Sequence, residues 1–291
     1  MFKGVFTAIV TPFNGGKIDE KALRKLIEFQ IEKGVSGIVA CGSTGESATL
    51  SFEEHIDVIR MAVEAASGKI KVIAGTGSNN TAEAVHLVKE AEKFKIDGHL
   101  QITPYYNKPT QEGLFMHFKT IAECCSKPVI LYNVPSRTAV NILPDTVSRL
   151  AEIDNIAGIK EAGGSLEQAA QILRKVPEKF CMLSGDDALT LPVIAIGGTG
   201  VISTVSNIAP ADMSLMADYA LKGDFKQARK LNFKLLPLIQ AMFIETNPIP
   251  VKKALNLMGF IENEIRLPLS EASGGAIFKI KAALKDYGIL Q

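Results

Sequence analysis

Charge of one sign is missing from this sequence: 32 lysines and arginines face 31 aspartates and glutamates, leaving +1. That balance supplies neither the basic footprint of a nucleic-acid binder nor attraction to an anionic membrane surface. No apolar run is long enough to span a bilayer. The opening residues Met1-Phe2-Lys3-Gly4 pass straight into a strand-like run, a pattern that argues against a signal peptide. Cysteine is scarce. Cys41, Cys124, Cys125 and Cys181 form no CxxC pair and no Cys/His ligand spacing, so they read as reduced core thiols of a cytoplasmic protein. His55, His86, His99 and His117 are scattered, and all but His55 read as structural. No G-x-G-x-x-G follows the first strand, and no low-complexity linker divides the chain.

What is present is a rhythm: a short β-branched run, a small polar loop, then an amphipathic helix. Strands are expected at 5–10, 37–41, 72–74, 99–103, 128–132, 156–159, 180–183 and 200–203. Asp19 caps one helix, and Ser51 with Glu54 three places on has the spacing of a capping box. Eight strand–helix units in series imply parallel strands joined by right-handed crossovers. A (β/α)8 barrel is the natural closure, typically ~250 residues long; a doubly wound open sheet is the alternative. From about Asp224 long helices follow without intervening strands. The expected organisation is therefore a catalytic barrel over 1–224, with a helical region over 225–291 packed on it.

In such a barrel the chemistry gathers at the strand C-termini. Ser43 and Thr44 follow the second strand, Tyr106 the fourth, and Tyr132 ends the fifth with Arg137 beyond it. Lys160 ends the sixth, and Gly185 and Ile202 come from the last two. A lysine there is either a solvated terminal charge or an amine in an apolar pocket, where desolvation frees it to attack a carbonyl. The convergent hydroxyls favour the second reading, in which a lysine iminium acts as electron sink while serine and tyrosine hydroxyls shuttle protons. The Gly42–Gly45 turn offers amides for a carboxylate. Metal ligands are missing from this inventory, so metal-assisted hydrolysis is not expected.

Five stretches carry a family resemblance that covers essentially the whole chain. They are Gly42-Ser43-Thr44-Gly45-Glu46-Ser47, Thr103-Pro104-Tyr105-Tyr106-Asn107-Lys108-Pro109, Tyr132-Asn133-Val134-Pro135-Ser136-Arg137-Thr138, Gly158-Ile159-Lys160-Glu161 and Asn247-Pro248-Ile249-Pro250-Val251-Lys252. The sequence resembles the pyruvate-dependent class I aldolases (the N-acetylneuraminate lyase superfamily), and within them the 4-hydroxy-tetrahydrodipicolinate (dihydrodipicolinate) synthase family. The glycine-rich turn specifies only the superfamily; the tyrosine–proline–arginine motif discriminates, because sialic acid lyases lack that arginine.

The resemblance implies a lyase that condenses pyruvate with aspartate 4-semialdehyde on the route to diaminopimelate and lysine. It makes Lys160 the Schiff-base lysine and Tyr132 the proton donor and acceptor. Ser43 and Tyr106 complete the relay, Tyr106 from a neighbouring subunit. Thr44 holds the pyruvate carboxylate with backbone near Gly185 and Ile202, and Arg137 binds the second substrate. No cofactor beyond the covalent pyruvate imine is implied, and no metal. The implied assembly is a homotetramer made of two dimers. Ser43 replaces a commoner threonine, keeping the hydroxyl with a freer rotamer. Ser47, Ala48, His55, Asn79, Glu83 and Tyr105 match a lysine feedback site, but Phe52 stands where some inhibited members have histidine; feedback stays open. Two other functions stay open too: a lyase releasing pyruvate from a 2-keto-3-deoxy sugar acid or sialic acid, and a non-catalytic barrel that binds carboxylates.

Overall fold

A computed structural model describes residues 2–290. Eight parallel strands close into a barrel: β1 (Gly4–Ala8), β4 (Gly37–Ala40), β5 (Lys71–Gly75), β6 (Gly98–Ile102), β7 (Val129–Asn133), β8 (Ile156–Glu161), β9 (Cys181–Ser184) and β10 (Gly200–Ser203), with β10 pairing back onto β1. The (β/α)8 expectation is met, and strand ends differ from it by no more than two residues. A two-stranded hairpin of β2 (Phe13–Asn14) and β3 (Lys17–Ile18) was not foreseen, because runs of two residues carry no periodic signal.

Helices alternate with the strands: α1 (Glu20–Glu32), α2 (Phe52–Ala66), α3 (Thr81–Ala91), α4 (Gln111–Ala122), α5 (Pro135–Thr138), α6 (Pro144–Leu150), α7 (Leu166–Lys175), α8 (Thr190–Ala195) and α9 (Pro210–Leu221). Both expected caps form. Asp19 accepts from the Ala22 amide, and Ser51 and Glu54 bond reciprocally as a capping box. Then come α10 (Phe225–Met242), α11 (Ile249–Leu257) and α12 (Gly274–Tyr287). Their apolar faces, among them Leu235, Leu238, Val251 and Ile280, share one core with α1, α2 and α9. No helix is long and apolar enough to cross a membrane among the described residues.

Strand parity sorts the barrel's side chains. On β7, Val129 and Leu131 face the helices while Ile130 and Tyr132 join the interior cluster with Phe6, Ile73, Leu100 and Leu183. On β8, Ile159 belongs to the helix-facing core, so Gly158 and Lys160 are turned inward. In register, Tyr132 lies beside Lys160, and Lys160 beside Leu183. Parity therefore delivers a phenol and an amine side by side into the barrel, just below its rim.

At the same end, Arg266 grips Glu54 through two bonds of 2.6 Å. That guanidinium holds the Glu54 carboxyl at about 2, below its ordinary 4.5. Between those values the unfolded chain binds the extra proton, so the stabilisation is complete above pH 4.5 and is lost as pH falls toward 2. Wild-type urea midpoints are expected to drop more steeply across this window than those of Glu54→Gln, which keeps the cap. Parallel curves would refute the linkage.

Candidate active site

Lys160 is 7% exposed, and its Nζ lies 4.1 Å from the centroid of the Tyr132 ring. Among the described residues it forms no ion pair with a carboxylate. The negative face of an aromatic ring is a place where an amine group packs favourably. Tyr132 is itself 6% exposed, and its carbonyl accepts from the amide and the hydroxyl of Thr103. From the other side Gly185 closes on the lysine stem. A Cβ built on Gly185 would lie 3.1 Å from Lys160 Cε and 2.6 Å from Ala162 Cβ, so the backbone passes here only without a side chain. Ile202 is buried in the same interior cluster.

The Ser43–Gly45 turn enters at the rim. Ser43 lines a small cavity of about 30 Å³ together with Tyr132, Gly77, Ile102 and Ser47. Thr44 is buried, and its hydroxyl accepts from Asn247 Nδ2 at 2.9 Å. Behind the turn, Thr11 Oγ1 donates to the Gly45 carbonyl at 2.7 Å. Glu46, in left-handed backbone, sends its carboxylate to Lys252 Nζ at 2.5 Å and accepts from the Arg266 amide at 3.1 Å. Lys252 also donates to the Thr11 carbonyl at 3.1 Å and lies over the Phe13 ring. Burial pushes the Lys252 amine down while Glu46 opposes that shift. A buried ion pair thus fastens the Ser43–Gly45 turn to α11.

Arg137 stands exposed on α5, and its Nη2 donates to the Asn247 carbonyl at 2.9 Å, aiming the guanidinium over the mouth. Tyr106 does not join the group within one protomer. It is 90% exposed, on left-handed backbone, in a loop held by bonds between Asn79, Tyr105 and Asn107. Hydroxyls from one chain therefore do not all converge, contrary to the reading of a single mouth. The loop after β6 carries Tyr106 out into solvent instead of back over its own barrel.

The residues matched to feedback divide. Ser47 lines the cavity with Ser43, Asn79 bonds the Tyr105 carbonyl, and Glu83 accepts from Ser78 Oγ, while Ala48 is exposed. His55 is buried, and its Nε2 donates to the Gly75 carbonyl at 2.7 Å. Burial lowers its pKa and favours the neutral ring. Phe52 stacks edge-on against His86. Cys41 touches the cavity, but burial pushes its thiol far up, which suits packing and not nucleophilic work.

Three residues gain positions that spacing did not suggest. Asn247 touches both Thr44 and Arg137 across the chain; its motif was visible but a partner 203 residues away was not. Glu161 faces outward from β8, accepting from Asn133 Nδ2 and the Gly163 amide, with burial raising its pKa. Asp187 is raised to about 6 by burial; its Oδ2 accepts from the Thr204 and Val205 amides, tying the loop after Gly185 to the loop after Ile202. Away from the mouth, Glu92, His99 and Cys125 bring ligand atoms within 4.8 Å of one another. Spacing showed no such grouping, because the three lie on separate elements.

The match to known proteins runs the length of the chain. The model of the dihydrodipicolinate synthetase family fits residues 1–287. A protein named 4-hydroxy-tetrahydrodipicolinate synthase from Syntrophus aciditrophicus is 55% identical over 290 residues, with both chains covered fully. A chloride-inhibited dihydrodipicolinate synthase from Acinetobacter baumannii, solved in complex with pyruvate, is 46% identical with TM-score 0.98, again with both chains fully covered. A DHDPS from Cyanidioschyzon merolae with lysine bound is 40% identical with TM-score 0.97, covering 99% of each chain.

Proposed function

We propose an activity that starts from membership: the chain belongs to the dihydrodipicolinate synthetase family. It is an enzyme, a lyase that condenses pyruvate with L-aspartate 4-semialdehyde to 4-hydroxy-tetrahydrodipicolinate, a step toward diaminopimelate and lysine. The observation that carries the site reading is a lysine amine buried beside a phenol, with a glycine pressed on its stem.

Lys160 Nζ attacks the pyruvate ketone, water leaves, and the resulting iminium draws electrons from the methyl carbon. Loss of a proton there yields an enamine, which adds to the aldehyde of the second substrate and restores the iminium. That substrate's own amine then attacks the iminium carbon, closes the ring and expels Lys160 as the free amine. Tyr132 is adjacent and hands protons in and out, with Ser43 next along the cavity. Thr44, oriented by Asn247, and the backbone at Gly185 and Ile202 receive the pyruvate carboxylate. Arg137 receives the carboxylate of the semialdehyde. The electron sink is the chain's own imine, so the reaction calls for no added cofactor.

Tyr106 completes the relay from a second subunit, a role its exposed position supports, and the assembly is a homotetramer of two dimers in the cytoplasm. Lysine, if it feeds back, does so at the rim around Ser47, Asn79, Glu83 and Tyr105. Turnover unchanged by millimolar lysine rules this out.

Borohydride reduction in the presence of pyruvate, read by mass spectrometry, is expected to fix an adduct on Lys160. No adduct would leave only a carboxylate-binding barrel. Pyruvate release from sialic acid without condensation on the semialdehyde would transfer the chain to the sugar-acid lyases. Gly185→Ala is expected to lower kcat by about 10²-fold, because a displacement near 1 Å at a reacting group costs that much. An unchanged kcat would show that the stem does not depend on this contact.

A further inference from the structure

On the underside of the barrel, opposite the mouth, two connections meet the start of a strand. Glu92 follows α3, Cys125 follows α4, and His99 is the second residue of β6. Their ligand atoms lie within 4.8 Å of one another. We propose that Glu92, His99 and Cys125 bind a divalent transition metal, zinc foremost, which clamps these two connections to β6.

The donor set selects the ion. A thiolate and an imidazole favour zinc or cobalt over magnesium or calcium. One carboxylate and one thiolate neutralise a dication, which makes the ion tolerable in a half-buried place. Zinc ligands lie ~2.0–2.3 Å from the ion, so tetrahedral donors sit roughly 3.3–3.8 Å apart. The three atoms need draw together by at most roughly 1.5 Å.

Each ligand has a position to give. Glu92 is held ionised: against the burial that pushes it up, the Lys127 and Ser126 amides and the Ser126 hydroxyl keep its carboxyl low. Those three donors use three of its roughly four acceptor positions. The fourth is on Oε2; His99 Nε2 lies 3.4 Å from Oε1, whose two positions serve the Ser126 and Lys127 amides. On the far side of the ring, His99 Nδ1 meets Thr76 Oγ1 at 3.1 Å. Gln101 Nε2 donates to that hydroxyl, which retains one proton and one lone pair. Thr76 can therefore donate to Nδ1 or accept from it. A metal on Nε2 moves the ring proton to Nδ1, where Thr76 accepts it, the second-shell contact a ligating histidine requires. Cys125 Sγ gives up its proton to solvent on binding, one per metal. Burial keeps the thiol protonated otherwise, at about 12, and Asn155 Nδ2 already donates to the sulfur at 3.4 Å. Glu92 and Cys125 are partly exposed, which leaves an entry path.

This face of the barrel reads as stability, not catalysis. Reduced, metal-free protein titrated with cobalt(II) chloride is expected to bind one equivalent with an ultraviolet thiolate-to-cobalt charge-transfer band, tighter as pH rises. The band is lost in Cys125→Ser, kept in Cys124→Ser, and zinc chloride displaces it. Glu92→Gln weakens binding by roughly tenfold or more. Zinc raises the thermal midpoint of wild type but not of Cys125→Ser, and turnover is the same in both. A titration without the band, or a band that survives Cys125→Ser, overturns the site.

Discussion

Lys160→Ala is expected to abolish turnover and the borohydride-trapped pyruvate adduct together, while circular dichroism and the thermal midpoint show an intact barrel. The two losses share one cause. In the proposed mechanism the Lys160 amine forms the iminium that serves as electron sink, so both losses follow from its removal. Lys160 has no carboxylate partner among the described residues, so its removal strands no charge, and the fold has little to lose. Tyr132→Phe separates the steps. It keeps the ring against Lys160 and deletes the proton carrier, so kcat is expected to fall by about 10²–10⁴-fold. The adduct should still form, more slowly. An active Lys160→Ala enzyme would overturn the covalent mechanism, and full activity in Tyr132→Phe would remove the phenol from the relay.

Lys252→Ala is expected to produce the largest loss of stability, about 3–5 kcal/mol. Lys252 and Glu46 are 3% and 0% exposed at their side chains. Deleting one partner strands the other charge in a low-dielectric site. Replacing both with apolar residues of similar volume should cost far less, since their desolvation disappears with them. Urea unfolding of Lys252→Ala, Glu46→Gln and a Glu46→Leu/Lys252→Met double variant distinguishes the cases. A loss for Lys252→Ala below about 1 kcal/mol would assign the pair the weight of a surface bridge. The same variants bear on catalysis, because Glu46 closes the turn that carries Ser43 and Thr44. Its loosening should raise the KM for pyruvate.

The barrel was legible because its information is local and repeated. Each strand reports itself by a β-branched run, and each helix by a cap such as Asp19 or Ser51, without reference to anything far along the chain. The burial of Lys160 was legible for a related reason: a lysine closing a buried run contradicts its surroundings, and such contradictions nominate a residue for function. The short hairpin at Phe13–Ile18 escaped because two residues have no period. That Tyr106 stands out from its own barrel was not legible from residue types, because left-handed backbone at a non-glycine residue leaves no trace in composition.

From the sequence came the closed parallel barrel, and with it the proposal of which face carries the chemistry and which amine, phenol and hydroxyl turn serve it. Tertiary structure decided which partners those groups have: Asn247 between Thr44 and Arg137, Lys252 under Glu46, Gly185 against the lysine stem, and Cys125 beside His99. The division is physical. Periodicity and capping act over a few residues and are written in sequence, whereas contacts between positions as many as 250 apart exist only once closure of the barrel has brought them together.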